Sequence, residues 1–200
     1  MRRVWAALLA ALVVPAVHGL EELSYEVLRT DGPIEVRRYD AFVSVSTGVS
    51  AAVGFERAGN QAFRPLFRYI DGQNSQDRTI AMTAPVLQSP SSSGWDVAFV
   101  LPEAVASQEV PQPDDRTLGV VRREPHLAVA IRYSGTWREQ RFRDHEQQVL
   151  EWVDEQGYTA CGEPAWARYD PPFKPWFLRR NEVVVPIAVD GEGCDGSEGG

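Results

Sequence analysis

Ala167-Arg-Tyr-Asp-Pro-Pro-Phe-Lys-Pro-Trp-Phe-Leu-Arg-Arg-Asn-Glu-Val-Val-Val-Pro-Ile187 is the stretch whose reading decides the fold. A short aromatic strand, Trp166 to Tyr169, enters a loop stiffened by Pro171, Pro172 and Pro175. An apolar strand, Glu182 to Val189, leaves it. Proline fixes φ and has no N–H, so this loop is rigid and cannot extend a sheet ladder. Phe173, Trp176 and Phe177 therefore stand on a stiff platform beside Lys174. Aromatic faces next to a fixed cation suit a flat, anionic, largely apolar ligand. Capping the open end of a barrel is the plainer role for such a loop.

Outward from that stretch, the chain alternates strands and helices. Leu23 to Leu28 and Ile34 to Tyr39 flank the turn Thr30-Asp-Gly-Pro33 and read as a hairpin. Ala41 to Val49 alternates and extends the sheet. From Val53 to Ile70 apolar residues recur at helical spacing, with Pro65 predicting a kink or a late start and Gly72 a stop. Thr79 to Leu87 and Trp95 to Leu101 are the next strands, on either side of a flexible Ser-rich loop. Glu103 to Asp115 is a long connection between halves. Thr117 to Arg122 and Leu127 to Ser134 are strands, and a second helix spans Trp137 to Gln156 with Phe142, Val149, Leu150 and Val153 on its buried side. Eight or nine strands with two helices make an α+β fold, and each half reads as strands, helix, strands.

Three blocks carry a family resemblance: Ile34-Glu-Val-Arg-Arg-Tyr39; Arg68-Tyr-Ile-Asp-Gly-Gln-Asn74 with Ile80-Ala-Met-Thr-Ala-Pro-Val86; and Tyr169-Asp-Pro-Pro-Phe-Lys-Pro175 with Arg179-Arg-Asn-Glu-Val183. In this order, over about residues 24 to 188, they resemble the SOUL haem-binding family. The resemblance implies a distorted antiparallel β-barrel with two helices packed outside it and pseudo-twofold halves. It also implies a ligand groove between the first helix and the Pro-rich loop. Matched by motif, the apolar helix position of that groove falls on Phe67, its basic neighbour on Arg68 and its loop lysine on Lys174, while a further basic position falls on Asn60. Phe63, Phe67, Ile70, Phe173 and Trp176 would form the walls, and Arg68 and Lys174 would meet the propionates of haem.

Iron ligation has weaker support in the residues. Some relatives place a histidine where this chain has Arg38, which is no iron ligand. His126 reads as a surface turn, His145 lies at the border of a helical apolar stripe, and Met82 sits in a strand-like segment. His145 and Met82 are the weak metal candidates. The expectation is a tetrapyrrole held by contact and charge. The alternatives are a module of the same fold for another amphipathic ligand, or a small enzyme using a buried carboxylate such as Glu182. No catalytic triad spacing, phosphate loop or metal motif is present in the sequence.

Composition bounds the rest. Two hundred residues with 44% hydrophobic and 24% charged side chains match one ordinary globular domain, placed at residues 20–189. Arg2 and Arg3, the apolar run Val4 to Val14 and the small-residue exit to Gly19 read as a signal peptide over residues 1–19. Removing it takes the count from 20 Lys and Arg against 28 Asp and Glu to 18 against 28, a net charge of −10. An acidic chain addressed to the periplasm or the exterior is a poor partner for nucleic acid or an anionic membrane. Residues 190–200 read as a disordered acidic, Gly-rich tail that holds Cys194, a candidate disulfide partner for Cys161.

Overall fold

The computed structural model describes residues 19–189. The leader segment up to His18, the tail from Asp190 and the Cys194 partner of the candidate disulfide lie outside the described residues. Twelve strands and three helices follow in chain order. These are β1 Glu21–Glu22, β2 Tyr25–Asp31, β3 Ile34–Tyr39, β4 Phe42–Ser50, α1 Phe55–Ile70, β5 Thr83–Ala84, β6 Val86–Ser91 and β7 Gly94–Val100. Then come α2 Glu103–Ala106, β8 Leu118–Arg123, β9 His126–Ser134, α3 Glu139–Glu155, β10 Thr159–Ala160, β11 Ala165–Arg168 and β12 Arg180–Ala188.

Most strands join one curled antiparallel sheet in the order β2-β3-β9-β12-β11-β6-β7-β4-β8. The path is symmetric about the β11–β6 seam. Stepping outward, β12 matches β7, β9 matches β4 and β3 matches β8, while α1 and α3 occupy equivalent places in the two halves. The first strand of each half crosses over to the other, β3 onto β9 and β8 onto β4, which locks the halves together. The sheet ends at β2 and β8 without closing, so the expected barrel is a half-barrel.

Strand alternation gives the sheet two faces. One packs α1 and α3 over the main core, where Phe55, Trp95, Phe142 and Trp166 meet ring to ring at 5.2–5.6 Å. The other face is lined by small residues such as Ala128, Ala130 and Ala167, with Tyr39, Tyr169, Arg37 and Glu182 buried among them. The periodicity of α1 is real: Phe55, Ala58, Gly59, Ala62, Leu66, Tyr69 and Ile70 are buried, and the helix runs through Pro65 without a break.

Several local expectations change. The strand placed at Thr79 to Leu87 begins only at Thr83 and is split at the cis Ala84–Pro85 bond, because proline has no N–H for the ladder. The Ser-rich loop is instead a tight hairpin: β6 runs to Ser91 and β7 begins at Gly94. The long connection contains the one-turn α2. Trp137 precedes α3, and Leu150 is exposed while Trp152 takes a buried place.

Gly94 has φ +145, and a Cβ there would collide with the backbone of Val49, Ser50 and Ala51. Gly119 has open space around its Cβ position. Urea denaturation should show Gly94→Ala losing about 2–4 kcal/mol through strain and overpacking. Gly119→Ala should stay within about 0.5 kcal/mol of the parent.

Candidate functional site: exposed aromatic displays and a buried ion-pair network

The Pro-rich loop is pinned from within. Asp170 accepts from Lys174 Nζ at 2.6 Å and from the Arg180 backbone N–H at 2.6 Å, closing the loop on itself. Arg179 Nε donates to the Lys174 carbonyl at 2.8 Å, and a 3₁₀ turn, Trp176–Leu178, carries the loop into β12. The rigidity expected from the prolines is thus completed by an aspartate and an arginine. What this frame holds outward is apolar: Phe173 is 87% exposed, and Trp176, Phe177 and Leu178 are each 57% exposed.

On α1 the exposed apolar pair is Phe63 and Phe67, one turn apart and stacked at 5.9 Å, with Phe63 also edge-on to Phe99. Burial of the opposite helix face leaves these two rings outward. Ile70 is not with them. It lies in the core at 5% exposure, because it continues the Ala62–Leu66–Tyr69 face. Arg68 is exposed and close enough to Asp115 to help hold that carboxyl low, after the Thr117 hydrogen bonds.

The contacts that join α1 to the loop run through Arg168 and Trp137. The Arg168 guanidinium stands 5.9 Å from the Phe55 ring and 5.4 Å from the Trp137 ring, and Arg179 stands 4.5 Å over the same indole. Trp137 is fixed by its Nε1, which donates to Asn181 Oδ1 at 2.8 Å. Sequence reading missed Arg168, although a signal existed. In an alternating strand it shares the face of the core residue Trp166, an unusual register for a charge.

Beneath the loop, on the small-residue face of the sheet, Glu182 is fully buried. It accepts from Arg37 Nη1 at 2.6 Å and Nη2 at 3.3 Å, from Arg180 Nε at 2.9 Å and from the Tyr169 hydroxyl at 3.0 Å. These fill the capacity of a carboxylate. Burial alone would lower the Arg37 pKa, but its bonds to Glu182 and Tyr39 reverse this and raise it. Burial pushes the Tyr39 hydroxyl up to about 12. Arg180 extends the network to Glu22 at 2.6 Å, and so to β1. Glu182 is therefore a structural anion with its acceptor sites filled, which removes this residue as the acid or base of the enzyme alternative.

The metal candidates are scattered. His145, on α3, stacks on Tyr133 at 3.7 Å with its Nδ1 2.6 Å from the Arg141 carbonyl. Met82 packs against the main core. His126 stacks on Tyr39 at 5.5 Å, and Arg38, at the histidine position of some relatives, is exposed and paired with Glu26 at 2.8 Å. Among the described residues no group of three or more His, Cys, Asp or Glu is placed to hold a metal ion. A cleft of about 410 Å³ opens at the loop exit, lined by Pro33, Arg132, Tyr133, Leu178, Arg179 and Arg180.

Burial would by itself raise the Asp170 carboxyl, but Lys174 and the Arg180 amide outweigh it and hold the pKa below the ordinary value. A depressed carboxylate contributes stability above its unfolded pKa, and that stability is lost as pH falls through the folded one. Hydrogen-exchange protection factors of the amides in residues 171–179, corrected for the intrinsic pH dependence of exchange, should therefore fall as pH drops below about 4. In Asp170→Asn they should be low already at neutral pH.

Comparison with known proteins agrees with this architecture. The profile of the SOUL heme-binding protein family matches residues 20–186. Heme-binding protein 1 of Xenopus tropicalis is 28% identical over 162 residues, covering 74% of this chain and 80% of that protein. The crystal structure of the EcmrR C-terminal domain superposes with a TM-score of 0.59 at 12% identity, covering 82% of this chain and 98% of that one. A hydrolase from Listeria innocua superposes with a TM-score of 0.52 at 12% identity, covering 80% and 94%. At such identities the two structures speak to the fold alone. The profile spans most of the chain and runs from β1 to β12, so the protein belongs to the SOUL heme-binding protein family.

Proposed function

We propose that this protein is an exported binding protein that holds haem or a related tetrapyrrole reversibly in the groove between α1 and the Pro-rich loop. The observation that carries the reading is a pair of exposed apolar displays on rigid supports. Phe63 and Phe67 stack outward on a helix, and Phe173, Trp176 and Phe177 stand outward on a loop locked by Asp170. Exposed aromatic clusters of this kind mark binding sites, since a soluble chain otherwise covers them. Family membership adds the ligand class.

The residues fit a tetrapyrrole unevenly. Its apolar faces meet Phe63, Phe67, Phe173 and Trp176, and Arg68 is available at the helix. Lys174 is already neutralised by Asp170 and offers a propionate only a shared cation. When bound, haem supplies a flat apolar disc with a carboxylate edge. The protein supplies two aromatic walls and positive charge, and the groove presents no side chain of axial-ligand type. The role is therefore carriage or buffering, and export is the expectation from residues 1–19.

A second reading keeps the groove and changes the ligand. Arg38, held outward by Glu26, stands at the position of the family's histidine, so the site makes no demand for iron. A metal-free porphyrin or another flat amphipathic anion meets the same walls.

Absorbance titration should give a saturable one-to-one Soret change with haem. Phe67→Ala should weaken it about tenfold, the loss of one buried aromatic contact. His145→Ala should leave the spectrum unchanged. Non-saturating binding, or Phe67→Ala titrating like the parent, would contradict the groove.

A further inference from the structure

Gly59 occupies the middle of α1, where glycine costs about 1 kcal/mol relative to alanine. The structure shows what uses the space. A Cβ at Gly59 would lie 2.7 Å from Nη2 and 3.0 Å from Nη1 of Arg168, and 3.1 Å from Gln88 Oε1. The Arg168 guanidinium is thus laid against the helix backbone, between Phe55 and Trp137. Its one side-chain hydrogen bond is to Gln88 Oε1 at 2.8 Å, and Gln88 is itself fully buried and donates to the Phe55 carbonyl.

No carboxylate pairs with Arg168 among the described residues, whereas Arg38, Arg143 and Lys174 each have one and Arg37 and Arg180 each have two. Guanidinium has five N–H donors, and most of those on Arg168 are unspent. Burial draws its pKa down to about 10, as expected of a cation losing water without gaining an anion. The second guanidinium on the same indole, Arg179, is satisfied only by the carbonyls of Lys174 and Pro172. Two cations therefore share one tryptophan with no carboxylate paired to either among the described residues.

We propose that Arg168 is the anchor for a carboxylate of the bound ligand, in a site between Gly59 of α1 and Trp137, with Arg179 as the supporting cation. This rests on the aromatic-groove reading and names the end of the groove where charge is read. Gly59, Phe63 and Phe67 are spaced i, i+4, i+8 on one helix face, so Phe63 lies about 6 Å and Phe67 about 12 Å further along the axis. A ligand whose carboxylate meets Arg168 lays its flat apolar body along those two rings. The ligand class is a flat apolar carboxylic acid, tetrapyrroles with propionates among them. The anchor is Arg168, because Lys174 already has its anion in Asp170.

The test compares acids with their esters. Haem and 1-pyrenebutyrate, and the methyl esters of each, are titrated into the protein and into Arg168→Gln and Gly59→Ala, with Tm measured for all three proteins. Gly59→Ala crowds the far ends of two side chains, Arg168 and Gln88, with no backbone clash, and improves helix propensity. Loss of binding in it with an equal or higher Tm therefore cannot be a folding defect. The expected result is that each acid binds the parent at least about tenfold better than its ester. Both variants should bring the acids to the ester level and leave the esters unchanged. Variants that bind the acids as the parent does, or a parent that binds acid and ester alike, overturn the anchor. If haem fails to saturate while pyrenebutyrate shows the Arg168-dependent preference, the tetrapyrrole reading falls and the carboxylate anchor stands.

Discussion

The buried carboxylate of Glu182 is the constraint on which the rest of the structure depends. It comes from the first turn of β12, takes two guanidiniums and a phenol, and through them ties β3, β1 and the end of the Pro-rich loop to one point. A charge without water is tolerable only when its partners are complete. Removing one partner of such a pair costs about 3–5 kcal/mol, far more than the pair contributes against an apolar substitute. The network therefore acts as a specification of geometry. It fixes where β12 starts, and so where the loop before it must stand.

That fixed start lets the loop display rather than bury its rings. Phe173, Trp176 and Phe177 would ordinarily collapse onto the sheet. Three prolines, the Asp170 clamp and the Arg179 bonds to loop carbonyls hold them out instead. On α1, the same division puts Leu66, Tyr69 and Ile70 into the core and leaves Phe63 and Phe67 outward. Helix and loop are linked through the Phe55–Arg168–Trp137–Arg179 contacts, which among the described residues include no carboxylate. A binding protein whose ligand brings its own carboxylate needs this asymmetry.

Much of the fold was legible because it obeys period. The two long helices, the succession of strands around them and the duplicated plan follow from spacing and turn residues. Failures came where long-range contacts override local pattern. Ile80 and Met82 read as strand but pack as an irregular segment before the cis Ala84–Pro85 bond. Ile70 looked like a groove wall because helical spacing gives a stripe but not its limits. Two turns of the stripe face the sheet, and only Phe63 and Phe67 sit at its margin. Lys174 and Arg168 show the same limit for charge: the sequence displays both cations, but only the fold tells which already has an anion.

The most direct test of the account is where a tetrapyrrole lands. Backbone amide shifts followed during titration with metal-free protoporphyrin would map it without interference from iron. The account predicts perturbations concentrated in residues 55–68 and 171–179, with Trp137 among the largest. Perturbations gathered instead around Gly32, Glu35 and Arg132, on the far wall of the cleft at the loop exit, with residues 55–68 unmoved, or spread evenly over the surface, would contradict it.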